Sequence, residues 1–376
     1  MELMKNKLNY IFLIFFFNCV INLNAYGVDI FNFDVTEVEI IEEGNKFIGK
    51  NGGTAISEDG TIIKAKNFEY DKTKNILIAF GNVEIIDEKE NILIKSQKIT
   101  YLKKSELILT DGKSKAISAR VTIDADNFEY NKLKKIVNAY GNVKIDNQDE
   151  NYLIFADKAT YQKNKELFLT KGKSKAINKD IVINANNFQY NKITNILNAK
   201  GNVEIEDTIN NYFISTIEAT YYKNSEKIIT QGETRANIQS KYFITSKDVT
   251  YLNKEKIIRS QNKTKLEDQK SQVYFVDKFN FSINQEILKG ENFLIITNYK
   301  LPKSDKFFFD NAIINLKENK FIAKDTKVKI HKDIFDNSEN DPRIEGVSSS
   351  GNNNYTLINK GVFTSCKKND NCPPWA

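Results

Sequence analysis

Apolar and polar residues alternate over a block that the chain contains three times. The block from Asn67 to Ile85 recurs from Asn127 to Ile145 and from Asn187 to Ile205, so each copy begins 60 residues after the last (127 − 67 and 187 − 127). In each copy one face of the period-two pattern is small and apolar, which predicts a half-buried β-strand. These faces are Leu77, Ala79, Gly81, Val83, Ile85; Val137, Ala139, Gly141, Val143, Ile145; and Leu197, Ala199, Gly201, Val203, Ile205.

A half-copy lies between successive blocks, so the repeating unit has about 30 residues. In every half-copy an aromatic residue precedes a glycine by 11 positions, as Tyr70 precedes Gly81 (81 − 70). A cluster such as Asp71 to Asn75 separates two strands with hairpin-turn chemistry. The glycine predicts a bulge, and Asn262 and Asn292 replace it in later units because asparagine tolerates positive φ. The sequence therefore predicts a stacked all-β array of two-strand repeats.

The chain divides into three parts by composition. Residues 1–25, with Lys5 and Lys7 before an apolar run and Ala25 at its end, are typical of a secretory signal peptide. Residues 26–334 form the repeat domain, which we expect to open with a strand from Val28 to Val38 and a turn at Asn51-Gly52-Gly53. Residues 335–376, rich in Asn, Asp, Ser and Gly up to Asn354, are predicted to be a linker and junction.

Composition favours a folded binding protein over an enzyme. The 376 residues are 40% hydrophobic and 28% charged, with a single histidine, His331. No catalytic motif or metal-ligand spacing is found, so we expect no enzymatic activity, no cofactor and no metal. The net charge is +6, but an exported chain is not expected to bind nucleic acid. Lysines recur at the turns and are interpreted as solvating the turns and protecting the sheet edges.

Two features of the repeat leave alternatives open. The aromatic ladder is either a sugar-stacking surface or cross-strand packing, and packing is favoured; it comprises Tyr70, Tyr101, Tyr130, Tyr161, Tyr190 and Tyr221. The small apolar faces either close on each other as a sandwich or stay splayed around an apolar groove. The sequence alone does not separate these two arrangements.

The repeat resembles the organic-solvent-tolerance family of lipopolysaccharide transport proteins. The resemblance rests on the Gly-Asn-Val motif at positions 81–83, 141–143 and 201–203, which follows the aromatic residue and turn in each copy. The tail, with Val347-Ser348-Ser349-Ser350-Gly351, Phe363-Thr364-Ser365-Cys366 and Pro374-Trp375-Ala376, is similar to the junction between periplasmic domain and barrel in outer-membrane assembly members of that family. The array is longer than the periplasmic domain of those members.

The resemblance implies an elongated, V-shaped β-jelly roll in the Gram-negative periplasm, associated with the outer membrane. It would carry lipopolysaccharide with the acyl chains shielded in an apolar groove. Implied partners are other β-jelly-roll transport proteins stacked end to end, an outer-membrane barrel and its plug lipoprotein. The candidate groove residues are Leu77, Val83, Ile85, Val137, Val143, Ile145, Leu197, Val203 and Ile205. The alternative is a structural or glycan- or protein-binding envelope protein with a closed core.

The cysteines bear on whether the chain is the amino-terminal part of a longer protein. Cys366 and Cys372 lie six positions apart (372 − 366) and can pair locally, pair with another chain, or stay reduced. The resemblance implies that Cys366 is bonded to a cysteine in a barrel. We therefore expect a longer assembly protein with Cys366 as its long-range disulfide partner, a prediction for non-reducing mass spectrometry.

Overall fold

The fold is one antiparallel β-sheet of 30 strands within the part of the chain that the structure describes. A computed structural model describes residues 30–119, 121–335 and 339–367. The sheet confirms the predicted all-β, jelly-roll-like fold class. The predicted signal peptide, Cys372 and the Pro374-Trp375 pair lie outside the described residues.

The strands follow one another along the sheet with short connections. The first half comprises β1 Phe31–Ile41, β2 Lys46–Ser57, β3 Ile62–Ala65, β4 Asn67–Asp71, β5 Ile76–Asp87, β6 Ile92–Leu102, β7 Leu107–Asp111, β8 Ser114–Ser118, β9 Val121–Ala125, β10 Asn127–Asn131, β11 Ile136–Asn147, β12 Tyr152–Gln162, β13 Leu167–Lys171, β14 Ser174–Asn178 and β15 Ile181–Ala185. The second half comprises β16 Asn187–Asn191, β17 Ile196–Asp207, β18 Tyr212–Tyr222, β19 Lys227–Ile238, β20 Tyr242–Lys247, β21 Thr250–Leu252, β22 Ile257–Arg259, β23 Thr264–Asp268, β24 Val273–Ser282, β25 Ile287–Ile296, β26 Lys306–Asn315, β27 Lys320–Lys329, β28 Arg343–Gly351, β29 Thr356–Asn359 and β30 Val362–Thr364. Single 3-10 turns cover Glu42–Gly44, Lys103–Ser105, Lys163–Lys165, Lys223–Ser225 and Lys332–Phe335.

A crossing is one passage of the chain from one side of the sheet to the other, and most crossings are bent near the middle. In β5 the pairing with β6 shifts register between Phe80 and Val83, where Gly81 (φ 84°) and Asn82 (φ 52°) are left-handed. Other crossings are divided into two short strands at the position where β5 bends. Strands β7 and β8, for example, pair with successive parts of β6. The predicted glycine bulge is confirmed. Asn292 has φ 50° as expected, whereas Asn262 is not left-handed, so that prediction holds at one of the two positions.

Two local predictions were wrong. Asn51-Gly52-Gly53 lies inside β2 and not in a turn, because its positive φ angles form the bend opposite the register shift of β1. Positive φ serves bulges as well as turns, so glycine alone does not distinguish them. The segment Arg343–Gly351, predicted as part of a linker, is β28 and pairs with β27. The opening strand begins at Phe31, slightly later than predicted.

The bend folds the sheet so that its two arms face each other. Aromatic residues near opposite ends of the crossings meet across the interior, as Phe31 meets Tyr70 and Tyr152 meets Tyr190, each pair with ring centroids 5.1 Å apart. The same contact recurs further along between Tyr242 and Phe281, also at 5.1 Å. The inward side chains form one continuous hydrophobic core between the arms.

Candidate functional site: the apolar interior and its seam

The nine predicted groove residues all point into the shared interior. Their exposure lies between 0% for Leu77 and 5% for Leu197, and all belong to the continuous core. The period-two pattern therefore identified the inward face in each copy. Of the two arrangements left open by the sequence, the arms are closed on each other, and these residues line a packed core.

The tyrosine ladder lies just inside one line of turns and is buried along its whole length. This supports the packing interpretation. Two of the hydroxyl groups reach polar groups near the opposite ends of the crossings: Tyr130 lies 3.2 Å from the Asp87 carboxylate and Tyr221 lies 3.4 Å from the Asn178 amide oxygen. Burial, with a smaller contribution from the nearby Glu226 carboxylate, raises the pKa of Tyr221 to about 12. The hydroxyl groups therefore stay protonated and donate these hydrogen bonds.

Two lines of turns meet where the arms close. We call the turns at 42–45, 72–75, 103–106, 132–135, 163–166, 192–195, 223–226, 253–256 and 283–286 the first rim. The turns at 58–61, 88–91, 148–151, 179–180, 208–211, 239–241 and 269–272 are the second rim. Their line of contact is the seam, which runs along the array beside the core.

Ion pairs join the two rims across the seam. Lys163 lies 3.0 Å from Glu90, Lys135 lies 2.7 Å from the same carboxylate, and Lys223 lies 2.8 Å from Glu150. Further pairs are Lys132 with Asp59 and Asp87, Lys256 with Asp207, and Lys241 with Glu286. Sequence reasoning assigned turn lysines to solvent and missed this pairing. The sequence did contain a signal for this pairing: Glu90 recurs one copy later as Glu150, and Lys163 recurs as Lys223.

Backbone hydrogen bonds run along the first rim. The Lys103 amide donates to the Asn75 carbonyl at 3.1 Å, and the Lys132 amide donates to the Glu106 carbonyl at 2.9 Å. The Lys163 amide continues the series to Lys135 at 3.1 Å. The seam contacts described above are made by side chains. Replacing them by contacts with water costs much less free energy than breaking the backbone hydrogen bonds of a sheet. The interior is therefore weakest at the seam.

The carboxylates of Glu90 and Glu286 are held ionised by their partners. Burial alone raises the pKa of the Glu90 carboxyl, but hydrogen bonds from Lys135 and Lys163 outweigh it and lower the pKa. The same balance, with Lys241 and Tyr242 as donors, lowers the pKa of Glu286.

Acid is expected to loosen the seam. Because these folded-state pKa values lie below the ordinary value of 4.5, their stabilisation is complete above that pH and is lost as pH falls through the folded pKa. Binding of the apolar dye anilinonaphthalene sulfonate should therefore rise only as the pH falls below 4.5. Glu90→Gln should reduce the pH-dependent part of this rise, and Glu88→Gln, in the same turn but exposed, should not. Equal effects of the two substitutions would contradict the prediction.

The tail holds the one cysteine that the structure describes. Cys366 is disulfide-bonded, and its partner lies outside the described residues. The Cys366 carbonyl accepts a hydrogen bond from Arg343 at 2.7 Å, which ties the tail to β28. Within the described residues, no group of three or more His, Cys, Asp or Glu side chains could hold a metal ion. The same residues contain no helix with the length and apolarity needed to cross a membrane.

Comparisons with known proteins give little guidance. No protein-family model matches the chain, and no curated protein matches it. Among solved structures, the chain is similar to LptH from Pseudomonas aeruginosa, described as the LptA homologous periplasmic component of the lipopolysaccharide transport device, with 13% identity over 37% of this chain and 81% of that chain at a TM-score of 0.19. The WD40 domain of SCAP from fission yeast gives 8% identity over 90% and 97% of the two chains at a TM-score of 0.11. Such low TM-scores establish neither a shared fold nor a shared function.

Proposed function

We propose that the protein is a non-enzymatic carrier that shields the acyl chains of lipopolysaccharide between the arms of its bent sheet. The observation that carries this proposal is the continuous apolar core between the two arms. Along one side, the core is closed only by the side-chain contacts of the seam. Burying hydrocarbon gains about 0.8 kcal/mol per methylene, so an apolar interior that opens along one side can hold acyl chains without any catalytic group. The sugars would stay in water outside the seam.

Photo-crosslinking tests this function. A photoreactive residue at Val143, which points into the core, should capture lipopolysaccharide in the intact envelope. One at Glu84, which lies on the outer face and pairs with Lys95 at 2.7 Å, should not. Lys144 is the matched control, because it neighbours Val143 on the opposite face of β11. Equal labelling at inner and outer positions, or none at Val143, would reject the proposal.

A second candidate function is a structural or ligand-binding envelope protein whose core never opens. The observation that favours it is the closed packing of the nine inward residues. In that case glycans or proteins would bind the outer face, and Val143 would capture no lipid under any condition. The same crosslinking experiment therefore decides between the two functions.

The proposed carrier would act in the periplasm and join β-rich partners end to end, including a barrel at the outer membrane. Strand β1 pairs only with β2 among the described strands, and its Val38 and Ile40 are 54% and 64% exposed. An unpaired strand edge is a template for strand addition.

Proline at the β1 edge tests this docking. Along an antiparallel strand the amides alternate between the paired and the open side, so Val38→Pro and Glu39→Pro block opposite sides. Whichever leaves the β1–β2 ladder intact should abolish co-purification with envelope β-proteins while the circular dichroism spectrum is retained. Unchanged association with both variants would show that β1 is not the docking edge.

A further inference from the structure

A void lies under the seam where the second and third copies meet. It is small, with a volume of about 30 Å³, and is partly open to solvent. Its walls are apolar and come from both arms; they include Tyr152, Ile154, Ala176, Ile181, Ile183 and Leu197. In the closed form this space is far too small for an acyl chain, so a chain enters only if the two arms move apart.

Polar side chains cover the void. Lys223 binds Glu150 at 2.8 Å and lies 5.3 Å above the ring of Tyr152. Tyr190 lies 3.3 Å from the same Glu150 carboxylate and 2.9 Å from the Asn195 amide oxygen. These side-chain contacts separate the apolar space from solvent, and Lys223 lies at its solvent-facing side.

The preceding copy contains the same ion pair over a stacked pair of aromatic rings. Lys163 and Glu90 are separated by the same 73 positions as Lys223 and Glu150. Beneath Lys163, the ring of Tyr161 stacks on Phe168 with centroids 4.4 Å apart. The corresponding partner of Tyr221 is Ile228, which has no ring to stack. The Lys163–Glu90 pair, whose carboxylate also binds Lys135, therefore serves as the control for the Lys223–Glu150 pair.

We propose that the seam opens first at the Lys223–Glu150 pair and admits one hydrocarbon chain of an anionic amphiphile into the space below it. Lys223 leaves Glu150 and binds the anionic headgroup, while the chain displaces the arms and lies along Ala176 and Ile154. The apolar walls select the chain, and the cation at the mouth selects the charge. This inference rests on the proposed carrier function and names its entry point.

Binding of cis-parinaric acid, a fluorescent fatty acid, and of its uncharged methyl ester tests the site on the full chain. Ala176→Phe places a ring where the hydrocarbon chain would lie and should weaken binding of both probes about tenfold, equivalent to the loss of roughly two buried methylenes. Lys223→Gln should remove the preference for the acid over the ester, about tenfold for one charge-assisted contact. Lys163→Gln should leave that preference unchanged.

Two results would overturn the entry point: unchanged binding by Ala176→Phe, or equal loss of acid preference in Lys163→Gln and Lys223→Gln. Thermal unfolding of each variant shows that the fold is retained. If Val143 captures lipopolysaccharide while the pocket variants change nothing, the entry point is wrong and the carrier function stands. If the pocket variants behave as expected while Val143 captures nothing, the carrier function is wrong and the amphiphile site stands.

Discussion

Phe68→Ala is expected to lower the free energy of unfolding by about 3–5 kcal/mol. The Phe68 side chain is fully buried and lies opposite Ala79 across the β4–β5 pair. It also meets the ring of Phe33 edge-on at 6.1 Å. Removing the ring leaves a cavity between the arms that small neighbours such as Ala79 do not fill, so both burial and packing are lost.

The matched control is Phe80→Ala on the outer face of the neighbouring strand β5. Phe80 is half-buried and pairs with Asn67, so its loss should cost less than about 1 kcal/mol. Urea unfolding measures both variants, and an unchanged slope with a lowered midpoint shows a stability change in the same cooperative unit. Similar midpoints for the two variants would contradict the assignment of Phe68 to the inner face.

Gly141→Ala is expected to destabilise the fold by about 2–4 kcal/mol, from left-handed strain and a steric clash. The φ angle of Gly141 is 72°, and an added Cβ would lie 2.9 Å from Cγ of Asp126 and 3.1 Å from its Cβ. Gly232→Ala separates the two effects, because its φ is 84° but the nearest atom, in Ile217, is 4.0 Å away. That variant should lose only about 1–2 kcal/mol.

A double-mutant cycle identifies the clash. Asp126→Ala removes the carboxylate that the methyl group introduced by Gly141→Ala would meet, so the double variant should recover part of the loss seen with Gly141→Ala alone. Asp126 also accepts a hydrogen bond from Asn142 at 2.9 Å, and the single Asp126→Ala variant measures that contribution separately. Equal destabilisation at Gly141 and Gly232, with additive effects in the double variant, would show that the steric term is absent.

What could be predicted from the sequence is the local repeat, because its causes are local. The alternation around Val83 and the glycine at position 81 determine the inward face and the bend within a few residues. The closure of the arms depends on contacts such as Tyr152 with Tyr190, which are distant in sequence. The repeat shows that aromatic residues recur, but not which of them meet. The recurrence of Lys163 and Glu90 as Lys223 and Glu150 is visible in the sequence, but it indicates an ion pair only when turns on opposite rims are known to meet.

The repeat also fixes how the protein can grow. One 60-residue copy contributes four crossings of the sheet, which at about 4.8 Å per strand adds roughly 19 Å of length. Seam partners keep a constant separation of 73 positions in successive copies, as in Lys163–Glu90 and Lys223–Glu150. A duplicated copy would therefore add its own bend, its own inward-facing apolar residues and its own seam ion pair, all in register with the existing copies. The distance that such a protein spans is then set by copy number, and evolution can adjust it to the width of a compartment by duplicating or deleting whole units.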